Sequence, residues 1–253
     1  SVSPTNNNTA IVSIRKYEDG GNMVILECSL SSTKLPLAVE ITLGSSVDSP
    51  MNAIKIADDL IFIVGTTKNT LTTPGIYRSF IMNYNPLTGN STCCKAFFIE
   101  GSIGNSAFNA AYSVIEDGEG KFIVAGQASN ADGNIAYVMR ATKNCQISDL
   151  RVLHGAKFIK QVQASTSGFP GFLVIGETNG FSPTPPSAFL AKLTQATLQL
   201  ATKELEQPAF TTEDLTPTIA QFTPPVDEFI SQPNATKANF TFDRNPSLKH
   251  LSL

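Results

Sequence analysis

A module of β-prone sequence recurs four times along the 253-residue chain. Each copy holds two hydrophobic runs separated by a variable loop. The first runs are residues 23–26, 61–65, 122–126 and 172–176, and their partners are residues 37–41, 80–84, 137–141 and 189–193. The partner runs begin 43 to 57 residues apart, a period typical of radial or stacked sheet repeats. The sequence therefore predicts repeated β-sheets, and it constrains the architecture far more than the chemistry.

Each hydrophobic pair follows a strand in which apolar and polar residues alternate, the pattern of a half-buried strand. Turn residues join that strand to the first hydrophobic run: Asp19-Gly20-Gly21, Asp58-Asp59, Asp117-Gly118 and Ser167-Gly168. Asp-Gly favours the positive φ angles of a two-residue hairpin. Three glycines, Gly44, Gly101 and Gly155, close a short strand before the next module begins. Each module is thus predicted to be an antiparallel meander of three or four strands.

Four such meanders cover residues 10–205, and neighbours must pack face to face to bury their apolar surfaces. Radial packing gives a β-propeller, whereas linear packing gives a solenoid or a sandwich. We predict an all-β fold, a β-propeller-like array of about four antiparallel blades. A fifth blade built from the tail, or an open arc completed by another chain, is also compatible with the pattern.

The ends of the chain differ from the modules. Residues 1–9 form a polar N-terminal extension, and residues 206–253 are rich in proline, which lacks the amide donor that a central strand needs. We predict an extended C-terminal arm; the alternative is a disordered tail. Two β-prone pieces, residues 218–222 and 239–242, are candidates to pair with an exposed sheet edge in the same molecule or in a neighbour.

The order of these features resembles secreted bacterial β-propeller repeats. The shared features are a strand-ending glycine, an alternating strand, Asp-Gly, a hydrophobic run ending in glycine, a loop, and an aromatic residue followed by apolar ones. The resemblance covers about three quarters of the chain and implies export, with binding, adhesion or scaffolding as the function. Those repeats often carry a tryptophan in the outer strand, and this chain has none. Phe97 and Phe98 are the candidates for that packing role.

Composition favours an extracellular or cell-surface location. Charged residues make up 15% of the chain, below the ~25% usual for soluble domains, and serine and threonine supply much of the polarity. The first residues lack a starting methionine and are typical of a processed chain whose export signal has been removed. The four cysteines, Cys28, Cys93, Cys94 and Cys145, permit two disulfides in such a location. We expect Cys145 to bond to Cys93 or Cys94, or all to remain buried thiols.

Several partner classes are excluded by what the sequence lacks. The net charge of −3 and the absence of a basic cluster argue against nucleic acid. No run of 18 apolar residues is present, so no transmembrane segment is predicted. The sequence has no Cys-x-x-Cys pair with a nearby histidine, so we predict no zinc site. We predict no cofactor; the one calcium-like pattern, Asn130-x-Asp132-x-Asn134, lacks the bidentate glutamate of a calcium loop and is better explained as a hairpin turn.

The sequence offers no convincing catalytic set. The chain has two histidines, of which His154 adjoins a module-closing glycine and His250 lies near the end of the chain. The acidic pairs Glu18-Asp19, Asp58-Asp59 and Glu116-Asp117 occupy equivalent hairpin corners, where turn geometry itself favours aspartate. We therefore predict no catalytic residue.

Binding residues are suggested by repetition. Glu27, Gln127 and Glu177 recur at the ends of equivalent strands, where they would line one face and bind a sugar or an ion. Asn-x-Ser/Thr sequons begin at Asn7, Asn90, Asn234 and Asn239, which are glycosylation sites only in a host that glycosylates.

Two functional hypotheses follow. The first is a non-enzymatic exported module that binds a protein partner, or assembles with itself through the C-terminal arm. The second is a carbohydrate-binding or carbohydrate-active propeller that uses surface carboxylates. The chain as a fragment of a larger propeller protein is a third interpretation.

Overall fold

A computed structural model of the chain describes residues 2–4, 9–15, 22–29, 37–44, 48–56, 60–68, 76–100, 108–130, 133–165, 170–178, 187–200 and 203–221. These residues form seventeen strands and no helix: β1 (Val2–Pro4), β2 (Thr9–Arg15), β3 (Met23–Ser29), β4 (Leu37–Thr42), β5 (Ser49–Lys55), β6 (Ile61–Thr67), β7 (Arg78–Tyr84), β8 (Cys94–Ile99), β9 (Ala110–Glu116), β10 (Lys121–Asn130), β11 (Gly133–Thr142), β12 (Ile147–Leu153), β13 (Ala156–Ser165), β14 (Gly171–Thr178), β15 (Ser187–Thr194), β16 (Phe210–Asp214) and β17 (Thr218–Gln221). Residues Ser1–Phe222 make one compact unit; Thr223–Leu253 are assigned to a second and lie outside the described residues.

The strands form four antiparallel sheets, as the sequence predicts. The first has the order β1-β2-β3-β4-β17, the second β5-β6-β7-β8-β16, the third β9-β10-β11-β12 and the fourth β13-β14-β15. Each predicted pair of hydrophobic runs is a pair of adjacent strands: β3 with β4, β6 with β7, β10 with β11, and β14 with β15. The all-β prediction with four antiparallel units is confirmed.

Three hydrophobic cores join the four sheets in sequence order. One lies between the first and second sheets, one between the second and third, and one between the third and fourth. The second and third sheets therefore bury both faces, which explains why their central strands are apolar without alternation; every residue of β6 and of β7 is buried. Stacked rings of Phe62 and Phe122, with centroids 4.0 Å apart, mark the middle core.

A glycine near the end of the first hydrophobic strand has the same role in three sheets. Gly65, Gly126 and Gly176 each lie opposite an aromatic residue on the next strand: Phe80, Tyr137 and Phe189. A Cβ on any of these glycines would lie 2.7 Å from the facing ring or its hydroxyl, and closer still to a carbonyl oxygen of the preceding strand. Only glycine allows this approach, so the Gly–aromatic pair seen in the sequence is a packing requirement.

The same glycines face a β-bulge on the strand before them. Opposite Gly65, Gly126 and Gly176, the partner strand carries one extra residue: Met51, Tyr112 and Lys160, respectively. A bulge re-aims the extra side chain and increases the local twist. Three of the four modules are thus alike in detail beyond their strand count.

The turn at Asp117 differs from its prediction. Residues 117–120 separate β9 from β10, so the turn has four residues instead of two. Asp117 Oδ1 accepts hydrogen bonds from the amides of Glu119 and Lys121, and Gly118 and Gly120 have φ angles of 84° and 75°. The turn keeps its predicted residue types, but Asp117 is buried and caps a wider loop. The other three predicted turns lie wholly or partly outside the described residues.

The C-terminal segment returns along the outer edges of the sheets in reverse order. We name residues 203–221 the strap. Its Glu206 bridges to Val152 of β12, its strand β16 pairs with β8, and its strand β17 pairs with β4. The predicted edge pairing of residues 218–222 is confirmed over Thr218–Gln221, and β16 was not predicted. In the first sheet Gly44 follows β4 almost directly, and β17 takes the outer position that β8 and β12 hold elsewhere.

Strap anchors enter the cores at intervals of five residues. Leu205 belongs to the core between the third and fourth sheets, and Phe210 packs against the core between the second and third sheets. Leu215 belongs to the core between the first and second sheets. Ion pairs flank them: Arg78 Nη1 lies 2.6 Å from Glu213 Oε2, and Lys95 Nζ lies 2.8 Å from Asp214 Oδ1. The strap therefore packs against each of the three described cores from the outer side of the sheets.

Replacing Gly126 with alanine should lower the free energy of unfolding by about 3 kcal/mol, because the new methyl group meets both a carbonyl oxygen and the Tyr137 ring. The control is Gly89→Ala, where the backbone is left-handed (φ 70°) and no atom lies within 4 Å, so we expect about 1 kcal/mol from backbone strain alone. Urea unfolding measures both. Equal losses would contradict the close-approach explanation.

Replacing Leu215 with alanine should lower the free energy of unfolding by about 3 kcal/mol. The substitution leaves a cavity where the strap packs into the core between the first and second sheets. The exposed Thr212 of β16 is the control, with an expected change within about 0.5 kcal/mol for Thr212→Ala. Thermal or urea unfolding measures the difference. A strap that merely lies on the surface would give two small and similar effects.

Candidate binding surface

The three predicted binding residues each have a partner on a neighbouring strand or sheet. Glu27 Oε1 of β3 lies 2.5 Å from Lys55 Nζ of β5, which ties the first sheet to the second. Glu177 Oε1 of β14 lies 2.9 Å from Lys157 Nζ of β13. Gln127 Oε1 of β10 accepts a hydrogen bond of 3.2 Å from the hydroxyl of Tyr112.

Gln127 and Glu177 each adjoin one of two aromatic residues that contact each other, Tyr112 and Phe158. The Tyr112 ring, bonded to Gln127, meets the Phe158 ring edge-on at 5.9 Å between centroids. Phe158 in turn is the cross-strand neighbour of Glu177. Lys160 Nζ lies 5.2 Å from the centre of the Tyr112 ring. We name Tyr112, Gln127, Phe158, Lys160 and Glu177 the Tyr112 patch; Glu27 contacts none of them in the described structure and belongs to a separate ion pair.

Bulges create this patch. Tyr112 and Lys160 are the extra residues opposite Gly126 and Gly176, so the same irregularity in adjacent sheets turns both side chains toward the gap between β9 and β13. Sequence reasoning placed Gln127 and Glu177 correctly on equivalent strands but missed the two aromatic residues, since a bulge leaves the alternating pattern almost unchanged. The available signal was the repeated glycine opposite each bulge.

The Tyr112 patch combines two aromatic rings with an amide, a lysine and a carboxylate. Partial burial raises the pKa of the Tyr112 hydroxyl, which stays a neutral hydrogen-bond donor and acceptor at physiological pH. Glu177 is its only carboxylate, whereas glycoside hydrolysis by the usual route needs two carboxyl groups about 5–10 Å apart. Aromatic edges beside an amide and a carboxylate suit recognition of a polar, ring-shaped ligand.

A second feature, which is exposed to solvent, lies on the outer face of the fourth sheet. Ile175 of β14 and Leu190 of β15 are directly opposite one another, and they are 44% and 66% exposed. We name this pair the apolar row; Gln161 of β13, the neighbour of Ile175 on the other side, is also exposed. The opposite face of the sheet, with Val162, Val174 and Leu193, is fully packed on the third sheet.

The apolar row was missed because the sequence gives no sign of it. Residues 171–176 are as apolar as the equivalent runs in the second and third sheets, which are buried on both faces. That pattern predicts cover on both sides, and the described residues supply it on one side only. Among the described residues, the exposed row is therefore a sheet face on which no other sheet packs.

The predicted disulfide is confirmed in its first alternative. Cys93 and Cys145 are bonded, with their Cα atoms 5.9 Å apart, and they link the loops that follow β7 and β11. Closing a loop of 52 residues stabilises the fold by about 4 kcal/mol in the chain-entropy account. Cys94 is a buried thiol whose pKa is raised to about 12, first by burial and then by the charges of Asp48 and Asp214. Cys28 lies in β3, and its side chain is outside the described part of the structure.

Two of the residues that sequence analysis weighed for catalysis, Asp117 and His154, have partners in the described structure. Glu18, Asp19, Asp58 and Asp59 lie outside the described residues. Asp117 Oδ2 lies 3.4 Å from Arg140 Nε, and Arg140 also donates hydrogen bonds to the carbonyls of Gln195 and Ala196 after β15. His154 Nε2 lies 2.6 Å from Glu206 Oε2 in an exposed pair that joins the β12–β13 turn to the strap. His250 is beyond the described residues.

Two kinds of feature are absent from the described ranges: a cluster of metal-ligating side chains and a helix that could span a membrane. No three His, Cys, Asp or Glu side chains there are grouped to hold a metal ion. Within the same ranges, no helix has the length and apolar character to cross a membrane. Asn130 pairs with Gly133 as the last rung of the β10–β11 hairpin, and Asp132 is outside the description.

Of the predicted sequons, the one at Asn90 can be placed. Asn90 is exposed in the turn between β7 and β8, where its backbone bridges to Asn85. Asn7, Asn234 and Asn239 lie outside the described residues. The use of these sequons stays a prediction.

Comparison with known proteins adds no family. No protein-family model matches the chain, and no curated protein matches it significantly.

Proposed function

We propose that this protein is a non-enzymatic, exported β-propeller-like module that binds a partner or builds an extracellular assembly. The observation that carries the proposal is the apolar row, a solvent-exposed sheet face in a molecule whose other sheet faces in the middle of the array are covered. Exposed apolar patches on soluble proteins commonly mark interaction sites.

A propeller-like arrangement is supported by the order of contacts between sheets. The strands β2, β5, β9 and β13 begin the four meanders, and each lies beside the next. Strap anchors are five residues apart, and five extended residues span about 17 Å. Packed sheets lie only about 10 Å apart face to face. The first strands of neighbouring sheets thus lie in contact, whereas the outer strands, where the strap runs, are spaced more widely. This divergence favours blades arranged around an axis over a parallel stack of sheets.

The arc is proposed to be open. Among the described residues, no hydrophobic core joins the first sheet to the fourth. An open arc leaves the outer face of the fourth sheet available to a partner, which accounts for the exposure of Ile175 and Leu190.

Export is supported by the disulfide and by composition. A disulfide between two sheets persists in oxidising compartments and is rare in reducing ones. The low charge content, with polarity carried by serine and threonine, agrees with a location outside the cell or on its surface.

Carbohydrate binding is the second candidate, and the Tyr112 patch favours it. Its two aromatic rings contact each other, the Tyr112 hydroxyl is bonded to Gln127, and Glu177 is the cross-strand neighbour of Phe158. A glycan would stack on Tyr112 or Phe158 and hydrogen-bond to Gln127 and Glu177.

The apolar row should be dispensable for folding if it serves a partner. We expect the double variant Ile175→Gln/Leu190→Gln to change the free energy of unfolding by less than about 1 kcal/mol, because exposed residues contribute little. The control Leu193→Ala, fully buried on the same strand, should lose about 3 kcal/mol. Sedimentation velocity should show that the double variant loses association with its own copies or with extracellular partners. A large loss of stability in the double variant would mean that another part of the chain covers the row.

A glycan array probed with the full chain tests the second candidate. Binding that falls at least tenfold in Tyr112→Ala and persists in Tyr77→Ala would support it, because Tyr77 also contacts a phenylalanine and a lysine but lies elsewhere. Hydrolysis of any bound glycan, lost in Glu177→Gln with the fold intact, would overturn the non-enzymatic proposal.

A further inference from the structure

The charges at the Tyr112 patch do not cancel. Glu177 Oε1 lies 2.9 Å from Lys157 Nζ, so this carboxylate is paired with a lysine of the adjacent strand. Lys160 is exposed, and its Nζ lies over the Tyr112 ring, 5.2 Å from the ring centre. Two lysines and one glutamate leave one net positive charge, and a negatively charged ligand would complement it.

Contact with the Tyr112 ring fixes where the charge of Lys160 lies. A lysine ammonium within about 6 Å of a ring centre is attracted to the negative face of the ring. The ring does not neutralise the ammonium group, which keeps its charge and its N–H donors. Lys160 can therefore donate to a ligand oxygen from a position that the tyrosine defines.

The Tyr112 hydroxyl also sets the direction of the Gln127 amide. It donates to Gln127 Oε1 at 3.2 Å, so the amide nitrogen is the group that remains to donate. Gln127 is 8% exposed, and in the described part of the chain no atom accepts a hydrogen bond from that nitrogen. A nearly buried donor favours a ligand that brings an oxygen to it, because an unpaired donor costs free energy.

We propose that the Tyr112 patch binds an anionic sugar, whose acidic group pairs with Lys160 and whose neighbouring oxygen accepts from the Gln127 amide. One tyrosine positions both donors, through its ring and through its hydroxyl. The Phe158 ring, inclined at 66° to the Tyr112 ring, offers an apolar surface to the sugar ring. This inference rests on the carbohydrate-binding candidate function, because it names the class of glycan bound at the same patch.

Charged and neutral forms of one oligosaccharide test the need for an anion. Calorimetric titration of the full chain with oligogalacturonate and with its methyl ester compares the same sugar chain with and without carboxylate charge. A sulfated oligosaccharide and its unsulfated parent form the second pair, which distinguishes sulfate from carboxylate. In at least one pair the charged form should bind about tenfold more tightly, as expected for one hydrogen bond to a charged group. Equal affinities within both pairs would overturn the inference.

Substitution of Lys160 tests the residue that supplies the charge. Lys160→Gln should weaken binding of the charged form about tenfold and leave binding of the neutral form unchanged, whereas Lys160→Arg should restore the preference. Lys68→Gln is the matched control, because Lys68 Nζ also lies over a tyrosine ring, 4.3 Å from the centre of Tyr77, outside the patch. Lys160 is exposed, so the variant should keep the fold. Equal losses in Lys160→Gln and Lys68→Gln would contradict the assignment.

Substitution of Gln127 tests the second donor. Gln127→Glu keeps an oxygen for the Tyr112 hydroxyl and replaces the amide nitrogen with a carboxylate oxygen. We expect the affinity for the charged oligosaccharide to fall by at least about tenfold, because a donor is lost and a like charge is added. Unchanged affinity in a folded variant would exclude Gln127 from the site.

The outcomes separate this inference from the candidate function on which it rests. Equal binding of charged and neutral glycans, lost in Tyr112→Ala, would overturn the anionic class and keep carbohydrate binding at the patch. A chain that binds neither form would overturn both, and the apolar row would then be the remaining basis of the proposed function.

Discussion

Face-to-face packing of consecutive sheets is the interaction on which this structure depends. An antiparallel sheet of three or four strands cannot hide two apolar faces by itself, and here each sheet is the cover for the next. The second and third sheets each contribute to two of the described cores, whereas the first and fourth sheets each contribute to one. The Gly–aromatic pairs fix the same strand geometry in the second, third and fourth sheets, which lets similar surfaces meet repeatedly.

The strap adds long-range closure to an otherwise local design. Without the strap, each meander would contact only the meanders next to it in the sequence. No segment would then link the outer edges of the sheets. Anchors at Leu205, Phe210 and Leu215 fill the outer end of each core, and the pairing of β17 with β4 brings the chain back to the first sheet. The disulfide between Cys93 and Cys145 makes a second tie between the two interior sheets. Both ties link sheets by their edges and loops and leave the outer face of the fourth sheet exposed.

Much of this fold is predictable from sequence, because the dominant signal is local. Hydrophobic runs, three of which end in glycine, predicted the four central strand pairs, and β-prone residues among prolines predicted β17. The bond from Cys145 followed from equivalent positions in adjacent modules. The strap anchors could not be found in this way, because a spacing of five matches neither a strand nor a helix. Residues 171–176 are as apolar as the equivalent buried runs of the second and third sheets. Their local sequence therefore cannot show that no described sheet packs on the outer face of the fourth sheet.

The candidate binding features were predictable only in part for the same reason. Gln127 and Glu177 are recognisable by repetition, but their connection runs through Tyr112 and Phe158, and it arises from bulges in two different sheets. Glu27 occupies the strand position equivalent to Gln127 and Glu177, but its surroundings differ. The first sheet lacks the glycine found in the other three, and β2 pairs with β3 without a bulge. Repetition along a sequence thus identifies equivalent backbone positions, and the contacts between neighbouring modules decide which of them form one site.

Native-state hydrogen exchange measures the central claim most directly, because it reports the opening of each strand separately. If successive sheets stabilise one another by mutual cover, the amides of β6 and β10 in the interior sheets should exchange only through global unfolding. Those of β14 that pair with β15 should exchange faster, through local opening at the uncovered end. Equal protection of β10 and β14 in the monomer would contradict the account, since it would mean that the fourth sheet is covered as completely as the third.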